Sequence, residues 1–347
     1  MKVMIVSEID KRTKKLRRGS YLRYKHPPPG VIYSIFNGLT GIINNVSHYE
    51  FNAKNFFKVI KTLVLKGFSQ PRPKDEKLIH SFFWNFYLYS RPWVHENDES
   101  PSQFLKQYYG SSNFTYKAAK EFLVYYLNSS PCKAIITWSN WAKKGFVDDG
   151  VDQSKVKVIP PPIDVKKEHI EHNGINILFI GRDFYRKGGD IVLKVFSKLA
   201  KDFNEIKLIY IGVLPPSIRK AVMSNRRIIY YSNPLDSELY GKIFPASDIL
   251  LLPTRYDAYA LTIIEAMSYG IPVVASSINS IGEVVSHGTN GFITKYDYDK
   301  YLGLLLENRR LWKAFSENSL AYIKKCHDPN IIGREIFKLY EQVLSGT

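Results

Sequence analysis

The rhythm of apolar and polar positions differs between the two halves of the chain. In the second half, short continuous apolar runs cover residues 175–180, 207–211, 227–231, 249–252, 272–276 and 292–294. Segments of helical spacing over 190–199, 218–223, 236–244, 261–269 and 281–287 alternate with them. Continuous apolar strands alternating with helices predict a parallel sheet covered on both faces. The first half is less regular. Apolar runs over 3–6, 31–37, 77–84, 134–138 and 155–159 predict strands, and 56–65 predicts a helix. A long basic loop is expected between the first strand and the stop formed by Pro27, Pro28, Pro29 and Gly30. Pro160, Pro161 and Pro162 can continue neither a strand nor a helix, so they predict a linker. The tail, 298–344, is helical by pattern with a break at 327–330. These patterns predict two α/β domains, over 1–164 and 165–329.

Length agrees, because a single core stops growing near ~250–300 residues and the chain has 347. Hydrophobic residues at 45% and charged residues at 23% exclude a disordered chain. Cys132 and Cys326 carry no CxxC spacing, which argues against a disulfide framework or a cysteine zinc site. The first ten residues are briefly apolar and then acidic, a first strand rather than a signal peptide. No apolar run reaches the ~18 residues that span a bilayer. A cytoplasmic protein, soluble or peripheral at the inner face of a membrane, is expected. Charge changes the picture more. The net charge is +17. Up to Asp164 there are 25 basic residues against 13 acidic, a surplus of 12; beyond it, 24 against 19 leave a surplus of 5. Lys11, Arg12, Lys14, Lys15, Arg17 and Arg18 form the densest stretch. Such a surplus points to an anionic partner or to a solvated basic surface.

Ligands of a parallel α/β sheet sit at the carboxyl ends of its strands, where loops meet helix N-termini. The loop after the first strand of the second half is Gly181-Arg182-Asp183-Phe184-Tyr185-Arg186-Lys187-Gly188-Gly189. Glycines let backbone N–H groups approach an anion, and Arg182 and Lys187 add charge, so the composition suits a diphosphate. It is neither a Walker loop nor GxGxxG, and a basic surface turn is the plain alternative. In the second constellation a strand ends at Leu252 and is followed by Pro253-Thr254-Arg255-Tyr256-Asp257-Ala258-Tyr259-Ala260-Leu261-Thr262-Ile263-Ile264-Glu265-Ala266-Met267. Asp257 and Glu265 stand eight positions apart. Carboxylates suit sugar and ribose hydroxyls, and N–H groups near Ala260, Leu261 and Thr262 suit phosphate. Ile264, Ala266 and Met267 flank Glu265, so it is expected to be at least half buried.

Taken together these segments resemble the retaining glycosyltransferases of family 4, with the GT-B fold. The run 253–276 looks like their E-x7-E signature, Gly181 to Gly188 resembles their G-R-x(n)-K-G loop, and Val158-Ile159-Pro160-Pro161-Pro162-Ile163-Asp164 resembles their interdomain segment. Two departures stand out: Asp257 replaces the first Glu, and Ala258 and Ala260 replace the glycines that follow it. The resemblance implies two Rossmann-like domains facing across a cleft, with a helix over 330–347 returning to the first. It implies an acceptor-binding first domain and a donor-binding second one. Arg182 and Lys187 would grip the diphosphate of a UDP- or GDP-sugar and stabilise the leaving group, with no metal or other cofactor. Glu265 would take the ribose, Asp257 the transferred sugar, and Gly181 and the amides of Ala260, Leu261 and Thr262 the phosphates. Tyr231 and Ser232 would lie at the base pocket. His95, in Arg91-Pro92-Trp93-Val94-His95-Glu96, is similar to the family's cleft histidine and is the catalytic candidate of the first domain; His80 is a second one.

The partners implied are a nucleotide-sugar donor and a glycan or lipid-linked acceptor. The basic run, and an aromatic stretch of Phe82, Phe83, Trp84, Phe86, Tyr87 and Tyr89, point to an anionic membrane surface or to core packing. Asp297-Tyr298-Asp299 reads as a turn and helix start rather than a metal triplet. Rival readings are a nucleotide-sugar epimerase or phosphorylase on the same architecture, a member that binds donor without turnover, and a nucleic-acid-binding protein. The last lacks a recognisable reading motif.

Overall fold

The computed structural model describes residues 1–9, 15–37, 72–85, 89, 91–109, 114–166, 170 and 173–346. Lys11, Arg12 and Lys14, the helix expected over 56–65, and Phe86 and Tyr87 lie outside these residues. The chain divides into two compact units: Met1–Pro162 with Pro329–Thr347, and Ile163–Asp328.

The first unit holds a parallel sheet of six strands among the described residues. They are β1 (Lys2–Ser7), β2 (Ile32–Asn37), β3 (Leu78–Phe82), β4 (Trp93–Glu96), β5 (Cys132–Thr137) and β6 (Val156–Val158). Their order is β2-β1-β3-β4-β5-β6. β3 and β4 are buried at every position, which is why they read as continuous rather than alternating. One face packs Met4, Val6, Ile79, Trp93, Cys132 and Ile135 against the helices Pro101–Tyr109 and Phe114–Asn128. The other face packs Val3, Leu78, Val94, Ala134 and Ile136 against the terminal helix Pro329–Ser345. That helix buries Ile332, Ile336, Leu339, Tyr340 and Val343, one stripe at three- and four-residue spacing. Each such side chain contributes about 1.5–3 kcal/mol when fully withdrawn from water.

One expectation fails in this unit, and one open alternative is decided. The basic loop contains a helix, Arg18–Lys25, whose Gly19 and Ser20 are buried. Its sequence carries little apolar periodicity, so packing rather than pattern secures it. The aromatic stretch is core: Phe82, Phe83, Trp84 and Tyr89 are all buried, so these four offer nothing to a membrane surface.

The second unit holds β7 (Ile175–Gly181), β8 (Ile206–Gly212), β9 (Ile228–Tyr231), β10 (Ile249–Leu252), β11 (Val273–Ser276) and β12 (Gly291–Thr294). They form a parallel sheet ordered β12-β11-β10-β7-β8-β9. From β7 the chain builds outward to one edge, then returns to build from β10 to the other. The switch point therefore lies between β7 and β10. The helix expected over 236–244 is a short turn followed by a π-helical segment, Leu239–Ile243. The tail forms three helices, because Asn308 caps a new one, Arg309–Cys326, by accepting the Leu311 N–H at 3.0 Å. Among the described residues no helix is long and apolar enough to cross a membrane.

Candidate donor-binding site

The loops leaving β7 and β10 open at the switch point, the place where such sheets hold ligands. They are laced together. Gly188, at φ +78°, lies against the Pro253 carbonyl so closely that a Cβ would stand 2.0 Å from its oxygen. Only glycine combines a left-handed φ with that approach. The Arg186 carbonyl accepts the Arg255 N–H at 2.7 Å and the Thr254 hydroxyl at 3.1 Å, and Arg186 Nη1 donates back to the Tyr256 carbonyl at 3.1 Å. Arg255 makes a two-pronged pair with Asp190, 2.7 Å on each arm, which also holds the Asp190 carboxyl below its ordinary pKa. These cross-links hold two irregular loops to one another.

Within this frame the cations separate. Arg186 is turned inward, its guanidinium 3.3 Å from Asp183 Oδ2, and serves the scaffold. Arg182, the first residue after β7, is exposed and makes no side-chain ion pair or hydrogen bond among the described residues. Lys187 is mostly buried and pairs with Asp257 across the two loops. The other Asp257 oxygen accepts the Ala260 N–H at 3.1 Å. Ala260 has φ +49° and precedes the helix Leu261–Ser268. A non-glycine residue in that region is strained by about 1–2 kcal/mol, and such strain collects at functional sites. The first-turn N–H groups of Leu261 and Thr262 lack helical acceptors by construction, and both residues are half-exposed.

Glu265 stands three and four residues beyond Thr262 and Leu261, so its carboxylate rises on their face of the helix. It is 6% exposed, as its apolar neighbours predicted. Tyr240, from the π-helical segment, donates its hydroxyl to Glu265 Oε1 at 3.0 Å, while Tyr269 donates to the Tyr240 carbonyl at 2.7 Å. Sequence spacing did not find Tyr240. Its signal is the irregular turn itself, since π-helical turns recur at functional sites. Tyr231 closes β9 in register with Ile211, which pairs Ile180 of β7, so it shares the carboxyl edge from the outer strand. Ser232 follows it and is exposed. Gly181 ends β7 against the Lys187 side chain.

Arg182, Lys187, Asp257, Ala260, Leu261, Thr262 and Glu265 thus share the two central loops and the helix that follows them. His95 does not belong to this group: it is in the first unit. It is fully buried against Trp84 and Trp93, and neither ring nitrogen has a hydrogen-bond partner among the described residues. Burial lowers its pKa to about 3, leaving a neutral imidazole. His80 faces the other side of that sheet, in a buried network. Its Nδ1 meets the Tyr340 hydroxyl at 2.6 Å, and Tyr340 meets Tyr33 at 3.0 Å. His80 Nε2 lies 2.9 Å from Glu96 Oε2, close in distance but out of line for a hydrogen bond. Burial alone would raise the Glu96 pKa, but Arg23 and His80 hold it down at about 2. Arg23 and Trp138 hydrogen-bond the same carboxylate. Asp297 precedes the helix Tyr298–Glu307 and Asp299 pairs with Lys198, a turn and helix start. Among the described residues no cluster of three His, Cys, Asp or Glu is placed to hold a metal ion.

The fold is GT-B. The Anabaena protein HepE, solved in complex with UDP-glucose, superimposes with a TM-score of 0.70 at 16% identity, covering 99% of this chain and 100% of that one. Residues 162–321, nearly all of the second unit, match the family of glycosyl transferases group 1. A 41.2 kDa protein of the cps region of Klebsiella pneumoniae is 29% identical over 175 residues, 47% of this chain and 48% of that protein. An uncharacterised glycosyltransferase of Methanocaldococcus jannaschii is 27% identical over 223 residues, 59% of this chain and 56% of that protein. The chain spans about half the length of these curated relatives.

Proposed function

We propose that the protein is a retaining glycosyltransferase that moves a hexose-type sugar from a nucleotide-diphospho-sugar to an acceptor glycan or lipid-linked glycan. One observation carries this reading: Lys187, Asp257, the first turn of the 261–268 helix and Glu265 converge at the switch point of the second sheet. The match of that unit to group 1 glycosyl transferases and the UDP-glucose held by HepE support the same ligand class.

In this reading the Leu261 and Thr262 amides and Lys187 receive the diphosphate, and Arg182 closes on it from the exposed side. Glu265, steadied by Tyr240, accepts the ribose hydroxyls, and Tyr231 and Ser232 lie toward the base. Asp257 faces the sugar. Transfer breaks the bond from the anomeric carbon to the diphosphate oxygen and forms one to the acceptor oxygen on the same face. The acceptor's proton passes to the departing phosphate. Arg182 and Lys187 stabilise the charge that develops there, the usual largest contribution in such sites. These groups do so with no metal. His95, neutral and with ring nitrogens that have no partner among the described residues, is the first unit's candidate for a sugar hydroxyl. The first unit's basic surplus is assigned to an anionic acceptor or the inner face of a membrane.

Lys187→Ala tests the core of the proposal. Transfer from a panel of UDP-, GDP- and ADP-sugars, followed by release of the nucleoside diphosphate, should fall at least a hundredfold while the melting curve persists. An unchanged rate removes Lys187 from the diphosphate and the proposal with it.

A further inference from the structure

Both oxygens of Asp257 are engaged within the protein. Oδ1 accepts the Ala260 N–H at 3.1 Å, and Oδ2 pairs with the Lys187 ammonium. The backbone is held as well, since Asn279 Nδ2 donates to the Asp257 carbonyl at 3.0 Å. The two side chains are only 17% and 14% exposed. The diphosphate cation therefore carries its own internal counter-ion, in a place where charges are poorly solvated.

An arriving diphosphate competes with Asp257 for the Lys187 ammonium and, where it draws the cation to itself, weakens the pair. That leaves a mostly buried carboxylate oxygen without its cation and near new negative charge, which is costly unless another donor replaces the ammonium. A nucleoside diphosphate has no such donor at that end. A nucleotide sugar does, because the sugar carries hydroxyls just beyond the second phosphate. Resting on the donor-binding proposal, we infer that the Lys187–Asp257 pair makes this site prefer the sugar-loaded nucleotide to the nucleoside diphosphate left after transfer. Asp257 is then the specificity-determining residue: it exchanges an ammonium for a hydroxyl when donor binds. Once the sugar has gone, the pair re-forms and helps to expel the spent diphosphate.

Calorimetric titration tests the exchange, using UDP, GDP and ADP and the glucose conjugate of each. Wild type should bind one sugar nucleotide more tightly than its own diphosphate. Asp257→Asn keeps an oxygen for the Ala260 N–H but loses the charge. It should bind the diphosphate about tenfold more tightly than wild type, since one like charge is removed beside it, and should lose the preference for the conjugate. Asp257→Glu should restore that preference. Asp257→Ser is read in the same way if the amide variant does not fold. Diphosphate binding that is unchanged or weakened in the neutral variants overturns the inference while leaving the donor-binding proposal intact. A wild type that binds none of the six ligands overturns that proposal first, and this inference falls with it.

Discussion

Replacing Gly188 by alanine probes the contact that holds the two loops together. A methyl group there would lie 2.0 Å from the Pro253 carbonyl oxygen and 2.8 Å from its carbon. Both atoms are backbone, so no side chain can swing aside. The carbonyl must retreat by about 1 Å to reach even the 3.0 Å floor of real Cβ contacts. The left-handed φ costs a non-glycine residue about 1–2 kcal/mol. Retreat of Pro253 also strains the Thr254 and Arg255 bonds to the Arg186 carbonyl, at about 1 kcal/mol each. Alanine stiffens the unfolded chain and returns about 0.5–1 kcal/mol. The net loss is about 2–3.5 kcal/mol, equivalent to roughly 4–14 °C for a unit of this size. Scanning calorimetry of the full chain measures it, with titration of UDP and UDP-glucose alongside. Gly241→Ala is the control, for a Cβ there meets nothing within 4 Å. A Gly188→Ala protein melting within about 1 °C of wild type would refute the close approach as the brace of the site.

Two further predictions test other links. Tyr240→Phe removes the hydroxyl that donates to Glu265. It should weaken nucleoside diphosphate binding about three- to tenfold, in line with one net hydrogen bond, leaving kcat at saturating donor near wild type; a kcat loss without a binding loss contradicts this role. His95, with its pKa lowered from 6.5 to about 3 by burial, stays neutral in the fold while the unfolded chain protonates. Stability is therefore full above pH 6.5 and declines as pH falls toward 3, by about 2 kcal/mol at pH 5. Glu96, held at about 2, adds to the decline below its ordinary 4.5. Urea melts at pH 7 and pH 5 should show this slope in wild type and a flatter one in His95→Phe; equal slopes refute the buried neutral imidazole.

The site was legible in the sequence to the extent that its parts are local. The 181–189 loop, the 253–268 run and the burial of Glu265 each follow from near neighbours in the chain. The bonds between those loops do not. Arg186 and Lys187 are adjacent cations in a glycine-rich turn, and composition cannot rank them. The fold ranks them by what stands opposite: Asp183 and the Tyr256 carbonyl for Arg186, Asp257 for Lys187. The pairing of Tyr240 with Glu265 joins positions 25 apart through a π-helical turn that no period announces.

Charge shows the same limit from the other side. Arg23 belongs by count to the basic N-terminal region, yet it is 1% exposed and ion-paired to Glu96, 73 positions away. It adds nothing to the field outside. The nearby aromatic residues Phe82, Phe83 and Trp84 are likewise core rather than surface. The features that can still meet an anionic surface are those the sheet does not absorb. Among the described residues of that region they include Lys15 and Arg17, both exposed, with the Arg17 guanidinium 3.9 Å above the Phe83 ring. The surplus counted from the sequence therefore overstates the charge that this region presents to solvent, because Arg23 is spent inside.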